Sequence, residues 1–224
     1  MRDAFDKALD PNVTGDLKRA ALAAMHCIFL QHGPEALLMP RGLAVCHEVG
    51  HVIVATVDGV SIEYVEVTGQ TVAEVCKMDD AALAKIGLPP GDFAWGGFTR
   101  FADSPFPLDM SGRPEDIVTL DFPSFQHLVR MELGGIAGEY VLYDGEIPAA
   151  SSLDERMLSQ HVCEKRARGN TDIAQIAWRD LLKETCSTIE QNRATAGKLI
   201  AAFENKDRLE GPELQEILDK RRLH

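Results

Sequence analysis

Most of the chain carries apolar residues at the three- and four-residue spacing that is typical of amphipathic helices. One segment, 153–168, is polar enough that a partly ordered stretch is the alternative to a helix. Gly33, which proline follows, is a signal for the end of a helix. Gly169-Asn170-Thr171 is a signal for the cap at the start of another. The spacing predicts helices over 16–31, from 43 to about 58, over 71–86, 125–143 and 153–168, from 172 to about 186, from 187 to about 204, and over 213–218.

Alternation of apolar and polar residues, the period of a β-strand, is confined to a short part of the chain. Residues 60–68 alternate β-branched or aromatic side chains with polar ones, and 96–101 is a second candidate strand that pairs with them. Residues 102–123 are rich in proline and aspartate and predict a long loop. The pattern therefore predicts a mainly α fold with one small β-sheet.

Two adjacent glycines, Gly134 and Gly135, lie inside the predicted helix over 125–143. Each costs a helix about 1 kcal/mol relative to alanine. This cost predicts a compensating close approach of two backbones, with the helix over 43–58 as the expected neighbour. No repeat and no linker divides the chain, so residues 1–40 are expected to be a helical extension that forms one compact unit with a domain over 41–224.

The charge and the cysteines limit the classes of function. The 23 basic and 35 acidic residues of this 224-residue chain give a formal charge of -12, which argues against binding to nucleic acid or to an anionic membrane surface. The five cysteines form no C-x-x-C pair, and the N-terminus has three aspartates where a signal peptide would be basic and apolar. We expect a cytoplasmic protein with no membrane span.

The segment with an evident chemical function is His47-Glu48-Val49-Gly50-His51, within the predicted helix over 43–58. Residues four apart share one helix face, so the two imidazoles can bind one zinc ion. Glu48 follows the first histidine and can act as general base on a water at the same metal. Catalytic zinc has three protein ligands, so one more must come from elsewhere in the chain.

The residues alone leave the third ligand open. Glu139 lies on the glycine-containing helix, where a supporting or surface carboxylate is the alternative interpretation. Asp172 lies at a helix start, where a negative charge also stabilises the helix dipole, and from the residues alone this second interpretation is preferred. His127 and His161 are weaker candidates, because most such histidines are exposed or partly buried without a metal.

Four motifs in a fixed order resemble those of the zinc peptidase domain of the FtsH family of ATP-dependent proteases. They are HEVGH at 47–51, GGIAGE at 134–139, GNTDIAQIA at 169–177 and LEGPELQEIL at 209–218. The first motif is shared by many metallopeptidases, whereas the ordered set is much more specific. The resemblance covers most of the chain from about residue 40 to 218 and implies a helical zincin-type peptidase fold.

The resemblance also implies site residues. The family's third zinc ligand is an aspartate that corresponds to Asp172, which reverses the preference reached from the residues alone. Glu139 corresponds to a carboxylate that supports the site, or is the alternative ligand. The predicted strand pair resembles the edge along which the family aligns extended substrate by β-augmentation.

The sequence thus predicts a zinc-dependent metalloendopeptidase that hydrolyses peptides or flexible protein segments. His47, His51 and Asp172 are the predicted zinc ligands, and Glu48 is the predicted general base. The family's ATPase module is not represented in the sequence, so a homo-oligomer or a separate ATPase is the expected form of any assembly. The alternative hypothesis is a catalytically silent peptidase fold that serves as a binding or regulatory module.

Overall fold

A computed structural model describes residues 15–71, 73–74, 79–85, 87, 93–102 and 119–218. Its described part is mainly helical with one small sheet, which confirms the predicted fold class. None of the described helices has both the length and the apolar character that crossing a bilayer requires. The elements are α1 (Gly15–His32), α2 (Arg41–Val57), β1 (Ile62–Thr71), α3 (Asp80–Lys85), β2 (Phe93–Phe101), α4 (Phe122–Leu142), α5 (Leu153–Arg166), α6 (Thr171–Gln191), α7 (Arg193–Ala202), β3 (Arg208–Glu210) and α8 (Gly211–Ile217), with a short 3₁₀ helix at Pro34–Leu37.

Several predicted boundaries move. The break predicted between residues 186 and 187 is wrong, because α6 continues until Asn192, whose side-chain amide donates to the Thr188 carbonyl at 2.8 Å and ends the helix. β3 was not predicted, since three residues are too few to show alternation. Most of the predicted loop over 102–123 lies outside the described residues. Its last two positions already belong to α4, which Asp121 caps by accepting from the Ser124 N–H at 2.8 Å.

The sheet has the order β2-β1-β3 and both pairings are antiparallel. The predicted pairing of the first two strands is therefore confirmed, and Val65 of β1 lies opposite Thr99 on one side and Leu209 on the other. Val65 and Val67 are fully buried and belong to the same core cluster as the apolar face of α2. In the described part of the chain, β2 pairs on one side only and forms an edge of the sheet.

The helices α2 and α4 pack through glycines at their contact. A Cβ atom at Gly50 would overlap the carbonyl oxygen of Gly134, and one at Gly138 would overlap the carbonyl oxygen of Cys46. No residue larger than glycine fits at either position without moving a backbone. This confirms the predicted close approach of the glycine-containing helix to the histidine-bearing one.

A second core joins α4, α5 and α6. The described polar segment 153–166 is helical throughout, as one of the two interpretations of its sequence predicted. α5 buries Leu158, Val162 and Cys163 in this core, while Met157 contacts the small cluster formed by α1. α5 is therefore held between α1, α4 and α6, with its N-terminal turn beside the histidine-bearing helix.

Asn170 caps α6, as its sequence pattern predicts, by accepting from the Ile173 N–H at 3.1 Å. Replacing Asn170 by alanine should lower the free energy of unfolding by about 1 kcal/mol, because that N–H loses its partner. Urea denaturation followed by circular dichroism measures the change. Asn205→Ala, at an exposed turn, is the matched control and should change the free energy by less than about 0.5 kcal/mol. Equal losses in the two variants would contradict the assigned cap.

Candidate metal centre

The two histidines of the HEVGH motif meet on one face of α2. Their Nε2 atoms are 3.1 Å apart, and the rings meet edge to face with centroids 4.8 Å apart. Both residues are largely buried, His47 with 8% of its surface exposed. The structure therefore brings the two imidazoles together as the spacing of four predicts.

Hydrogen bonds at the opposite ring nitrogens set the direction of both lone pairs. His51 Nδ1 is 2.9 Å from the Met131 carbonyl oxygen, which can only accept, so Nδ1 carries the proton. His47 Nδ1 is 2.9 Å from Oε1 of Glu139. With a proton on each Nδ1, a neutral ring presents the lone pair of its Nε2. Metal-ligating histidines are oriented in this way, by a carbonyl or a carboxylate at the other nitrogen.

The carboxylate beside the two Nε2 atoms belongs to Glu155, in the first turn of α5. Its Oε1 lies 3.0 Å from His47 Nε2 and 3.1 Å from His51 Nε2. His47, His51 and Glu155 form a group that could hold a metal ion, with ligand atoms within 4.8 Å of one another. The sequence analysis did not identify Glu155, because it lies in a segment without a motif.

Asp172, the ligand that the family resemblance implies, is placed elsewhere. It is exposed in the first turn of α6 and does not belong to the group of His47, His51 and Glu155. Its position suits the helix-dipole interpretation that the residues alone favoured. The assignment of Asp172 as a metal ligand stays a prediction, whereas the structure offers Glu155 as the third donor.

Glu139 contacts Nδ1 of His47, on the side of the ring away from the two Nε2 atoms. It is fully buried, and its Oε1 accepts hydrogen bonds from His47 Nδ1, from Ser151 Oγ at 2.8 Å and from Ser152 Oγ. A carboxylate in this position holds the imidazole at one angle and increases its basicity. Glu139 therefore has the supporting geometry that the resemblance implies for it.

Glycines form the surface on which the two histidines rest. A Cβ atom at Gly135 would overlap the ring of His47, and one at Gly134 would lie 3.0 Å from both Cα and Nδ1 of His51. The pair that sequence analysis explained by backbone packing thus has a second effect. It lets α4 approach the imidazoles themselves, so that Glu139 and the Met131 carbonyl reach their Nδ1 atoms.

Glu48 lies against the edge strand of the sheet. Its Oε2 accepts a hydrogen bond from Thr99 Oγ1 at 2.7 Å, and a Cβ atom at Gly97 would overlap its side chain. Only 4% of its surface is exposed. The strand thus fixes the carboxylate of Glu48 between α2 and β2.

The charged groups of this pocket shift one another's pKa values. Burial by itself lowers the pKa of His47, but the nearby carboxylates of Glu155, Glu139 and Glu48 outweigh burial and hold that pKa well above its ordinary value. The pKa of His51 is likewise raised by Glu155 and Glu48 against the effect of burial. Burial raises the pKa of Glu155, yet the two imidazoles hold it far below its usual range. The carboxylates around the two imidazoles thus favour positive charge beside the Nε2 atoms, whether protons or a metal ion carry it.

The donor atoms fit a divalent cation. Two nitrogen ligands of tetrahedral zinc lie about 3.3 Å apart, given bonds of about 2.0 Å. The two Nε2 atoms are 3.1 Å apart. Oε1 of Glu155 lies 3.0 Å from the Nε2 of His47 and 3.1 Å from that of His51. Oε2 of Glu155 is buried and has no hydrogen-bond partner among the described residues. Two imidazoles and a carboxylate are a donor set that suits zinc and related transition metals.

The two weaker candidate ligands lie outside this group. His127 is buried, and its Nδ1 is 3.1 Å from Oδ2 of Asp58. The other oxygen of that carboxylate, Oδ1, pairs with Arg130 at 3.1 Å. This cluster ties the end of α2 to α4. His161 is half-buried on α5, where burial lowers its pKa. Neither belongs to the metal group, in the part of the chain that the structure describes.

Comparison with known proteins leaves the family open. No protein-family model and no curated protein sequence matches the chain. The resemblance to the FtsH peptidase domain therefore rests on the four ordered motifs.

Proposed function

We propose that the chain is a zinc-dependent metalloendopeptidase whose metal is held by His47, His51 and Glu155. The observation that carries the proposal is the meeting of both Nε2 atoms with Oε1 of Glu155 at 3.0–3.1 Å, on the helix that also carries Glu48. The exposed Asp172 is the alternative third ligand, implied by the resemblance.

A divalent ion in this group would supply Lewis acidity and a water of lowered pKa at neutral pH. The chain's own groups do the rest. Glu48 takes a proton from the attacking water and returns it to the leaving amine. The hydrogen bond from Thr99 holds the Glu48 carboxylate in one place between proton transfers. Glu139 and the Met131 carbonyl keep the two imidazoles oriented.

The edge strand β2 offers a binding surface for an extended peptide. The Trp95 N–H points away from β1 and donates to the Met39 carbonyl at 3.1 Å. Backbone direction alternates along a strand, so Gly97 and Thr99 also direct their backbone groups away from β1. Gly97 and Thr99 are also the two residues of β2 that lie against the Glu48 side chain. A peptide added to this edge would pass beside the general base.

This surface supports one class of substrate. Strand addition requires an extended backbone, so peptides and unfolded segments fit and folded domains do not. A separate ATPase that delivers unfolded chains, or a homo-oligomer, is compatible with this surface and stays a prediction.

Cleavage of an unfolded protein tests the proposal. The purified chain loaded with Zn²⁺ should degrade reduced, carboxymethylated casein, and a chelator such as 1,10-phenanthroline should stop the reaction until Zn²⁺ is added back. Mass spectrometry of the products measures internal cleavage. Metal binding at one ion per chain without cleavage across a broad panel of unfolded proteins would instead support the alternative, a silent binding module.

A further inference from the structure

Ser152 has an unusual backbone conformation at the start of α5. It is the N-cap residue of this helix, with φ 50° and ψ 32°, in the left-handed region that serine rarely adopts. A serine at this position normally accepts a hydrogen bond from an N–H of the first helical turn, but Ser152 does not. The residue therefore has a strained backbone and gives up its usual capping contact. Such strain is found where another contact requires it.

The contacts that replace the cap are in the metal centre. Oγ of Ser152 donates to Oε1 of Glu139 and lies 3.0 Å from Nδ1 of His47. The neighbouring Ser151 donates to the same carboxylate oxygen at 2.8 Å. Both serines are buried. Glu139 Oε1 thus receives three hydrogen bonds, which keep it opposite His47 Nδ1.

The same residue also starts the helix that carries the third donor. The Ser152 carbonyl accepts from the Arg156 N–H at 3.0 Å, which forms the first turn of α5, and Glu155 lies within that turn. The side chain and the carbonyl of Ser152 therefore connect two parts of the centre. One is the pair of His47 and Glu139, and the other is the turn with Glu155.

We infer that Ser152, assisted by Ser151, is a positioning residue of the metal centre that orients His47 through Glu139 and docks the turn with Glu155. This inference rests on the proposed metal site. It adds to that proposal the serine pair, in the turn before α5, that holds the ligands in place. Loss of a group that orients a ligand usually weakens metal binding about 10- to 100-fold.

Cobalt binding tests the inference without relying on hydrolysis. Ser152→Gly removes the hydroxyl and tolerates the positive φ, so its backbone is not strained. It should weaken Co²⁺ binding, measured by competition with a chelating dye, about 10- to 100-fold and change the visible absorption bands of the bound Co²⁺. Ser151→Ala, at a residue with no positive φ, should weaken binding in the same direction.

A matched control and a double variant separate positioning from a structural role. Ser159→Ala removes another buried hydroxyl of α5, which accepts from Trp178 Nε1 at 2.8 Å, and should lower the melting temperature while leaving the Co²⁺ affinity and spectrum unchanged. Because Ser152 acts through Glu139, adding Ser152→Gly to Glu139→Gln should weaken binding by less than about threefold further.

The outcomes distinguish this inference from the proposed function. If Ser152→Gly and Ser151→Ala both bind Co²⁺ with wild-type affinity and spectrum, the inference is overturned and the metal site stands. If wild type binds Co²⁺ and hydrolyses no substrate while Ser152→Gly binds it more weakly, the peptidase proposal fails and the inference is supported. A wild-type chain that binds no Co²⁺ overturns both.

Discussion

Replacing Glu48 by glutamine should lower kcat for peptide hydrolysis by about 10²- to 10⁴-fold, the usual contribution of a general base. Glutamine has the same shape and still accepts from Thr99 Oγ1, which lies 2.7 Å from Oε2 of Glu48. It cannot take a proton from water at neutral pH. The metal content should stay near one ion per chain, since Glu48 does not belong to the group that could hold the metal. Stopped-time assays on a quenched-fluorescence peptide measure kcat, and metal analysis measures occupancy.

Glu63→Gln is the matched control for this variant. Glu63 is an exposed glutamate of β1 that pairs with Arg100 at 3.8 Å and does not belong to the group of His47, His51 and Glu155. Its loss should leave kcat within about twofold, because exposed ion pairs of this kind contribute little. A Glu48→Gln enzyme with wild-type turnover would remove Glu48 from the mechanism. Loss of metal from that variant would assign it a role in holding the ion.

The elements and the centre of the site follow from local sequence signals. The spacing of four that places His47 above His51 is a property of any α-helix, and it needs no knowledge of the rest of the fold. The helix cost of Gly134 and Gly135 also predicted a close approach to the histidine-bearing helix, and the structure confirms α2 as that neighbour. These predictions succeeded because helix geometry and glycine cost act over a few residues.

The place of Glu155 beside the two histidines could not be found in this way. Glu155 meets His47 across 108 positions of the sequence, through the packing of α5 against α4 and α6. Its segment is polar and carries no motif, so one glutamate in it looks like any other. The Ser151-Ser152 pair before the helix looks like an ordinary cap in the sequence, and only the structure shows that the Ser152 side chain makes no capping hydrogen bond to α5.

The same limit applies to the helix break after α6. Apolar periodicity continues through Ile189, which is fully buried, and the helix ends only where the side chain of Asn192 bonds the backbone. A single asparagine within a helical pattern is a weak signal, because its side chain caps a helix only in the right surroundings. Local pattern therefore locates helices more securely than it locates the breaks between them.

Replacing Glu155 by alanine should weaken Zn²⁺ binding by at least about 100-fold, more than the loss of a group that only orients a ligand. Oε1 of Glu155 lies 3.0 and 3.1 Å from the two Nε2 atoms, so the variant leaves two nitrogen donors where catalytic zinc has three protein ligands. Asp172→Ala should bind Zn²⁺ with nearly unchanged affinity, because that residue is exposed in the first turn of α6. Competition with a chelating dye measures both affinities.

Two further variants make this comparison decisive. Glu164→Ala, at an exposed position on α5, controls for a change of charge on the same helix and should keep wild-type affinity. Glu155→Gln keeps the volume of the buried side chain and removes its charge, so it should lose affinity while leaving less of a cavity than alanine does. If Asp172→Ala loses the metal and Glu155→Ala keeps it, the ligand implied by the FtsH resemblance is correct. In that case Glu155 would lie beside the two imidazoles but would not be a metal ligand.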